Sequence, residues 1–187
     1  PPVNNLFKFI NAGASMVSYS GGKGIRGPQN TGFILGKKSY IDLAKRNLIC
    51  FSDAKAKIGR SMKVSKECLV GLVVALKLFL DTNQEEIWGG WKEKAKFIVK
   101  ELSNIEDLDV KLEDDGLNRE GPQAVIYFNN NWKGLSPNEI RLLLEKGDPP
   151  IYVGTGGYKD EINLAMTNIQ DGQEKIIVEK LKDILIK

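Results

Sequence analysis

The chain lacks histidine altogether and has only two cysteines among its 187 residues. Without histidine, neither a Ser-His-Asp nor a Cys-His catalytic arrangement can form, and a histidine-ligated metal site is excluded. The two cysteines, Cys50 and Cys68, are too few and too far apart to make a zinc site. Both lie in or beside apolar segments, as is typical of free buried thiols in a reducing compartment, and we therefore expect a cytoplasmic protein.

The chain also has little net charge, and its apolar runs are short. The 27 basic and 24 acidic residues are mixed along the chain and leave a net charge of +3, so composition does not favour a nucleic-acid partner. The longest apolar stretch, Cys68 to Leu80, is interrupted by Lys77 and is shorter than the roughly 20 residues that cross a membrane. The chain opens without an initiating Met or a signal-peptide pattern, so we expect the first encoded residue to lie upstream.

The composition, 42% apolar and 27% charged, is that of an ordinary globular protein with one domain or two small ones. Local patterns in its first part predict alternating helices and strands. The predicted elements are a helix over 6–13 that ends at a glycine, strands over 14–19 and 31–36, and a helix from a Ser39 cap to Asn47.

The middle of the chain predicts a crossing segment and a long helix. Residues 50–63 carry few periodic signals. Ser65 then caps a helix that runs to about Leu80 and is apolar around its whole circumference. A helix of that kind is expected to be buried on most sides, at a domain junction or an oligomer interface.

The last part predicts helices layered on a mainly antiparallel sheet, in the order α-β-β-α-β-β-α. Ser136 to Glu139 form a capping box with Pro137 at the first helical position, and Ile177, Leu181 and Ile184 form the buried stripe of the last helix. The predicted elements are strands over 108–113, 123–129, 151–153 and 162–166, and helices over 92–102, over 136–146 and from 171 onward.

The segment from Ser20 to Gly32 is the most unusual part of the chain, because it places one lysine, Lys23, among five glycines. It directly follows the apolar run from Ala14 to Tyr19. A lysine at the end of a buried strand loses its proton more easily than a surface lysine, because burial disfavours the ammonium form. A neutral amine can attack an aldehyde, which is the chemistry that holds pyridoxal phosphate (PLP) in its enzymes.

Two common phosphate-binding motifs do not account for this loop. Gly22 to Gly27 matches the dinucleotide pattern G-x-G-x-x-G, which requires a helix directly after it. Here Pro28 and a predicted strand follow, so the pyrophosphate would find no helix N-terminus. The loop also lacks the Walker A pattern. Composition alone leaves Lys23 as a surface lysine in a glycine hairpin.

The extended pattern around Lys23 resembles a known family. Residues 20–38 read SGGKGIRGPQNTGFILGKK, which resembles the PLP-lysine segment of fold-type I enzymes in the selenocysteine synthase-like branch. That branch includes L-seryl-tRNA(Sec) selenium transferase and related sugar-acid ammonia-lyases. The resemblance continues, in the same order, at Ile58–Glu67, Gly147–Val153 and Ile169–Glu174.

The resemblance implies roles for five residues. Lys23 would form the Schiff base with PLP and move the substrate's Cα proton. Ser20 would donate its hydroxyl to the cofactor phosphate, and Thr31 would reach a phosphate across a subunit interface. Arg26 would bind the cofactor and Arg60 the substrate, as anion ligands with guanidinium geometry. Ordinary salt bridges for the two arginines, and a local backbone bond for Ser20, remain open.

The resemblance also implies the architecture: α/β, the C-terminal half of a PLP-dependent transferase of fold type I (aspartate aminotransferase-like), with a small α+β C-terminal domain. Residues 1–62 would be the lysine-bearing end of the large domain, residues 63–91 a connecting helix and linker, and residues 92–187 the small domain. Two departures stand out. The family's cofactor aspartate, ring-stacking residue and phosphate loop would precede Pro1, and Gly154–Gly157 stands where relatives often carry a substrate-binding arginine.

The function implied is β-elimination or replacement on an amino acid or an amino sugar acid, by a homo-oligomer that binds neither membrane nor nucleic acid. Selenium transfer to seryl-tRNA(Sec) is the alternative within the family, and the absence of a basic cluster argues against it. A non-catalytic oligomerisation or binding module, with the lysine loop as a remnant, is the alternative from another class. A domain that binds phosphate anions in this loop is a third.

Overall fold

The computed structural model describes residues 3–48, 58–114, 121–154 and 161–186. Within these ranges the α-helices are α1 (Asn5–Asn11), α2 (Lys38–Arg46), α3 (Lys66–Asp81), α4 (Gln84–Leu102), α5 (Pro137–Glu145) and α6 (Gln173–Leu185). The strands are β1 (Met16–Ser20), β2 (Gly32–Gly36), β3 (Leu108–Glu113), β4 (Gln123–Phe128) and β5 (Glu161–Ala165). Short 3₁₀ helices lie at Ile58–Met62 and Met166–Asn168. The chain divides into two compact units between Glu85 and Glu86.

Unit 1, up to Glu85, is built on the antiparallel pair β1–β2. Tyr19 and Phe33 are cross-strand partners, and their rings stack with centroids 5.2 Å apart. The Tyr19 hydroxyl donates to the Leu6 carbonyl at 2.6 Å, which ties α1 to the sheet. The chain turns out of α1 at Gly13, whose φ of 104° lies in the left-handed region that favours glycine.

Helix α3 begins where the sequence predicts. Ser65 is its N-cap, and the Ser65 hydroxyl accepts a hydrogen bond from the Cys68 N–H at 3.2 Å. Within the described chain only Leu72 of α3 is buried, and Val70 and Val73 are 64% and 67% exposed, so burial of this helix at a domain junction or an oligomer interface stays a prediction. Apolarity around a helix predicts that its surface needs cover, and it does not identify the covering group.

Unit 2, from Glu86 onward, is an antiparallel sheet in the order β3-β4-β5 with helices packed on one face. Alternate residues of β4 (Ala124, Ile126 and Phe128) point into the core, as the two-residue repeat of a strand requires. The core is completed by Ile98, Leu102, Ile140, Leu144, Ile177 and Leu181 from α4, α5 and α6. The predicted antiparallel sheet is therefore confirmed, as is the predicted capping box at Ser136 and Glu139.

Two predicted boundaries are wrong. Ser39 lies inside α2, because the Lys37 N–H still pairs with the Ser15 carbonyl at 2.9 Å and the helix begins immediately afterwards. Helix α4 begins at Gln84 and runs unbroken through Gly89 and Gly90, whereas the sequence predicts a helix only from residue 92.

The predicted strand at 151–153 is also wrong. It is reduced to an isolated bridge between Gly154 and Asn163. The Ile151 N–H donates instead to the Leu144 carbonyl at 2.9 Å, at the end of α5, and the preceding Pro149 and Pro150 have no N–H to donate.

Two further findings concern cysteine and membranes. Cys68 is a free thiol and is half-buried, whereas Cys50 and most of the predicted crossing segment lie outside the described residues. Among the helices in the described ranges, none is both long and apolar enough to cross a membrane.

Candidate functional site

The loop that carries Lys23 is closed by its own backbone. The Gly21 N–H donates to the Thr31 carbonyl at 2.8 Å, which extends the β1–β2 ladder into the loop. The Gly27 N–H returns to the Gly21 carbonyl, and the Arg26 N–H donates to the Lys23 carbonyl, both at 2.8 Å. Lys23 therefore sits in a tight hydrogen-bonded turn whose backbone position is fixed.

Helix α3 packs directly on this loop. A Cβ on Gly21 would come within 2.7 Å of the Leu72 Cδ1, and a Cβ on Gly27 within 3.3 Å of the Ala75 Cβ. On the helix side, a Cβ on Gly71 would lie 2.9 Å from the Pro28 Cγ. A side chain at Gly21, Gly27 or Gly71 would crowd the atoms of the facing segment, so packing of α3 on the loop explains these glycines. Burying Leu72 contributes about 1.5–3 kcal/mol to this contact.

The side chain of Lys23 is exposed, as are Ser18 and Ser20 at the end of β1. The expectation of a lysine at the end of a buried strand is therefore wrong for this chain. Each strand of the two-stranded sheet has one exposed and one half-buried face. The described residues of unit 1 present the Lys23 amine without burying it.

Arg26 and Ser20 lie in the same loop and at its base. Arg26 is exposed and has a φ of 61°, in the left-handed region that non-glycine residues rarely adopt. Such backbone strain persists only where the surroundings enforce it, and here the closed turn from Lys23 does so. Ser20 is the last residue of β1 and is exposed.

Thr31 is buried, with 7% of its surface exposed. Its hydroxyl donates to the Pro28 carbonyl at 2.6 Å, and this bond closes the turn at the C-terminal end of the loop. Its contact with a phosphate stays a prediction, and that contact would require the hydroxyl to release Pro28.

Arg60 lies on a separate element, the 3₁₀ helix Ile58–Met62, and is exposed. The Gly59 N–H donates to the Asn47 carbonyl at 3.2 Å, which attaches this helix to the end of α2. The structure thus gathers Ser20, Lys23, Arg26 and Thr31 in one loop and its strand ends, and it places Arg60 on another segment of the same unit.

The sequence did not point to α3 as the support of the lysine loop. Gly71 and Ala75, the small residues that contact Pro28 and Gly27, are four positions apart and therefore share one face of the helix. Two small residues at this spacing, in a helix of large apolar side chains, indicate that another segment packs closely on that face of the helix.

Unit 2 contains a cavity of about 280 Å³ between the segment Pro149–Val153, strand β5 and the start of α6. Its lining is apolar apart from Gln173 and the Tyr152 hydroxyl, and no Lys, Arg, Asp or Glu contributes to it. It therefore offers no acid, base or nucleophile comparable to Lys23.

The family model for SelA, L-seryl-tRNA selenium transferase, matches residues 2–106, which is more than half of the chain and includes the lysine loop and α3. The chain belongs to the SelA family. The resemblance to the selenocysteine synthase-like branch of fold-type I PLP enzymes is thereby confirmed.

Curated relatives of this SelA-family chain include lyases and transferases. It is 27% identical to D-glucosaminate-6-phosphate ammonia lyase of Salmonella typhimurium over 181 residues, which cover 96% of this chain and 46% of the relative. It is 28% identical to L-seryl-tRNA(Sec) selenium transferase of Clostridium botulinum over 199 aligned positions, covering 94% of this chain and 39% of the relative. Over 77 residues it is 40% identical to the selenium transferase of Caldanaerobacter subterraneus, covering 41% of this chain and 14% of that one.

Solved structures show the same fold. The structure of D-glucosaminate-6-phosphate ammonia-lyase matches with a TM-score of 0.65 and 26% identity, covering 95% of this chain and 45% of that one. An alanine–glyoxylate aminotransferase from Nostoc matches with a TM-score of 0.58 and 15% identity, over 95% of this chain and 50% of that one, which shows the fold alone. The predicted aminotransferase-like fold is confirmed. The chain spans about half the length of the relatives it matches or less.

Similarity to the fold-type I PLP branch implies PLP as the cofactor, and the lysine loop fits it. A primary amine stands exposed on a fixed turn, and a Cβ built on the neighbouring Gly24 meets nothing within 4 Å, so space beside Lys23 is open. The same loop carries a guanidinium at Arg26, and a hydroxyl stands at its base on Ser20, both of which suit a phosphate ester. The donor set is therefore compatible with PLP held at Lys23.

Proposed function

We propose that this chain carries the cofactor lysine of a PLP-dependent lyase or transferase, which performs β-elimination or replacement on an amino acid or amino sugar acid. The observation that supports it is the exposed Lys23 amine on a glycine loop that α3 holds in place. Membership of the SelA family supplies the reaction class.

Each of the five candidate residues would have its own role. Lys23 would hold the cofactor, and its amine would serve as the base for the proton at the substrate Cα. Ser20 and Arg26 would bind the cofactor phosphate, with Thr31 as a further donor, and Arg60 would bind an anionic group of the substrate. When bound, PLP supplies the electron sink that makes the Cα proton removable.

A phosphorylated sugar acid is the substrate class that we favour. Residues 1–85 carry 13 Lys and Arg against five Asp and Glu, a surplus that favours an anionic ligand. The ammonia-lyase relative acts, by its name, on D-glucosaminate 6-phosphate, which offers both a phosphate and a carboxylate to basic side chains.

Selenium transfer to seryl-tRNA(Sec) is the second candidate. The family match and the selenium transferase relatives favour it, although the chain has no cluster of basic residues that would suit a tRNA backbone. Affinity for tRNA would fall steeply as salt rises from about 50 to 200 mM, because basic side chains neutralise many phosphates at once. Affinity for a sugar phosphate would fall much less, because it presents only one or two charged groups. Affinity measured for both ligands across that salt range separates the two candidates.

The test of the proposed function is a PLP titration followed by absorbance. It is run on the chain alone and on the chain co-expressed with the part of the Salmonella ammonia lyase that lies outside the match. We expect saturable one-site binding by the wild type and by Lys77→Ala, an exposed lysine on α3, and loss of that binding in Lys23→Ala. Unchanged binding by Lys23→Ala would favour the alternative of a non-catalytic module. Equal competition by inorganic phosphate and PLP would favour a simple anion site.

A further inference from the structure

A side-chain hydrogen bond crosses the lysine loop next to Lys23. The Gln29 Nε2 donates to the Gly22 carbonyl at 3.1 Å. That carbonyl belongs to the peptide group that joins Gly22 to Lys23, so the bond acts on the backbone immediately before the Lys23 Cα. Gln29 has none of the roles proposed above.

The peptide groups on both sides of the Lys23 Cα accept hydrogen bonds. The carbonyl on the N-terminal side accepts from Gln29, and the Lys23 carbonyl, on the C-terminal side, accepts from the Arg26 N–H at 2.8 Å. Two held peptide groups restrict the φ and ψ of the residue between them, and these angles set the direction of its Cα–Cβ bond. The bond from Arg26 comes from the backbone, whereas the bond to Gly22 depends on one side chain.

Gly22 leaves room for the Gln29 side chain. A Cβ built on Gly22 would lie 2.6 Å from both the Cα and the Oε1 of Gln29, and 2.9 Å from its Cδ. A side chain at position 22 would therefore displace Gln29 from the carbonyl, so the bond requires glycine there. Gly24, on the other side of Lys23, has no such neighbour, because its Cβ would meet nothing within 4 Å.

Gln29 itself lies on a turn that is held at both ends. The preceding Pro28 packs against α3, where a Cβ on Gly71 would lie 2.9 Å from the Pro28 Cγ. The hydroxyl and the N–H of Thr31 both donate to the Pro28 carbonyl, at 2.6 and 3.1 Å. Helix α3 therefore supports the Lys23 backbone through Pro28 and Gln29.

The Gln29 bond adds little to the closure of the loop. The Gly21 N–H already donates to the Thr31 carbonyl, and the Gly27 N–H to the Gly21 carbonyl. Gln29 is exposed, and its amide exchanges a bond to water for the bond to the chain, so the net gain in stability is small. What the bond restricts is the orientation of the peptide group before Lys23.

We propose that Gln29 is a positioning residue for the Lys23 amine. By holding the Gly22 carbonyl it raises the fraction of chains in which Lys23 is oriented for reaction with PLP, and the apparent affinity falls in proportion when that fraction falls. The inference rests on the proposed function, which gives the cofactor to Lys23. The order of the Lys23 backbone is nevertheless measurable with no cofactor present.

The test compares Gln29→Met with Asn30→Leu in the full chain. Methionine keeps the length and the neutrality of glutamine but has no N–H to donate. Asn30 is the matched control, because it is the next residue, it is exposed, and its side chain makes no hydrogen bond within the part of the chain that the structure describes. Circular dichroism and urea unfolding check that both variants keep the wild-type fold and stability.

The first measurement uses no PLP. Hydrogen exchange across residues 21–27 is followed by mass spectrometry, on the chain alone and on the chain co-expressed with the part of the Salmonella ammonia lyase outside the match. The Arg26 N–H reports on the Lys23 backbone, because it bonds to the Lys23 carbonyl. We expect it to exchange about fivefold faster in Gln29→Met than in the wild type and Asn30→Leu, the factor that corresponds to one hydrogen bond of ordinary net strength.

The second measurement compares two ligands on the same proteins. One is PLP, and the other is pyridoxine 5′-phosphate, which carries an alcohol where PLP carries the aldehyde and so cannot react with an amine. We expect Gln29→Met to weaken PLP binding about fivefold and to leave the affinity for pyridoxine 5′-phosphate unchanged, because only PLP depends on the orientation of Lys23. Asn30→Leu should bind both ligands as the wild type does.

Unchanged exchange of the Arg26 N–H in Gln29→Met overturns the proposal, as does equal affinity of Gln29→Met and the wild type for PLP. Equal weakening of both ligands also overturns it, because Gln29 then maintains the loop as a whole instead of orienting the amine. If exchange rises in Gln29→Met while the wild type itself binds no PLP, Gln29 still orders Lys23, and it is the proposed function that fails.

Discussion

At the scale of single residues, the glycines around Lys23 are of two kinds. A Cβ on Gly21 would lie 2.2 Å from the Thr31 Oγ1 and 2.7 Å from the Leu72 Cδ1, whereas a Cβ on Gly24 would meet nothing within 4 Å. Gly21 therefore leaves room for both Thr31 and helix α3, whereas Gly24 faces open space.

This difference predicts opposite outcomes for one added methyl group. Gly21→Ala should destabilise the loop by about 1–3 kcal/mol, as overpacking does, and should weaken PLP binding by moving Lys23. Gly24→Ala should change stability by less than about 0.5 kcal/mol. Urea unfolding of the two variants checks the prediction, and equal stability of both would show that neither Thr31 nor Leu72 packs closely against Gly21.

Several carboxylates of unit 2 make its stability depend on pH. Hydrogen bonds from Ser136 lower the pKa of Glu139, the Lys182 ammonium lowers the pKa of Glu101, and Lys94 lowers the pKa of Asp171. Because each pKa is lower in the folded chain, the stabilisation is present above the unfolded carboxyl pKa of about 4 and is lost as pH falls below it.

Glu139→Gln tests this dependence at one position. Glutamine can still accept from Ser136 in a capping box, and it cannot titrate. We expect the variant to lose less stability than the wild type between about pH 6 and 3 in urea unfolding. Ser136→Ala, by contrast, should cost about 1 kcal/mol at neutral pH because the cap itself is lost. Parallel pH curves for Glu139→Gln and the wild type would contradict the assignment.

At the scale of elements, helix α4 contains a weak point. Gly89 and Gly90 are helical, and an added Cβ at either position meets nothing within 4 Å. Glycine in a helix interior costs roughly 0.5–1 kcal/mol relative to alanine. No packing in the described structure requires glycine there.

Gly89→Ala should therefore stabilise unit 2 by about 0.5–1 kcal/mol. Gly172 is the matched control, because it also has no neighbour for a Cβ but has a φ of 89° at the start of α6. Gly172→Ala should destabilise by about 1–2 kcal/mol, since a side chain is strained in the left-handed region. Chemical unfolding of both variants measures the two signs, and a destabilising Gly89→Ala would show that this part of α4 needs flexibility or a close neighbour.

The sequence predicts elements well where a local interaction determines them. Ser65 and the Ser136–Glu139 box are confirmed as helix starts, because each makes its capping bond within the first turn. Ser39 is not a cap, because a ladder bond from Lys37 sets the helix start and that bond depends on a partner distant in sequence. The same holds for 151–153, where the Ile151 N–H is taken by α5.

The candidate site, too, is predicted from the sequence only where local pattern determines it. The glycine loop and its flanking strands follow from local pattern, and the sequence identifies Lys23 from them. The contact of Gly71 and Ala75 with the loop joins residues more than 40 positions apart, so no local pattern contains it. The exposure of α3 was also beyond local pattern, because apolarity is the same whether or not a covering surface is present.

At the scale of the whole molecule, the two units differ in the size of the apolar core that stabilises them. Unit 2 has a continuous core from three helices and a three-stranded sheet. Unit 1 buries three apolar side chains among its described residues and leaves a two-stranded sheet and most of α3 exposed. The charges are unequal too, since residues 86–187 carry 14 basic against 19 acidic side chains.

A fragment of residues 82–187 should therefore fold alone, with a single cooperative transition in urea. A fragment of residues 1–81 should show little protected amide hydrogen, because its buried surface cannot offset the entropy of ordering the chain. Circular dichroism and hydrogen exchange on the two fragments check this. Independent cooperative folding of residues 1–81 would contradict the view that unit 1 buries too little apolar surface to fold alone.

The assignment of Lys23 as the cofactor lysine is tested most directly by chemical trapping. The chain, alone and co-expressed with the part of the Salmonella ammonia lyase that lies outside the match, is incubated with limiting PLP, reduced with borohydride and mapped by peptide mass spectrometry. We predict a pyridoxyl group on Lys23 in far higher yield than on Lys37 or Lys77, which are exposed lysines of the same unit. Labelling spread evenly over the exposed lysines in both samples, with no preference for Lys23, would contradict the account.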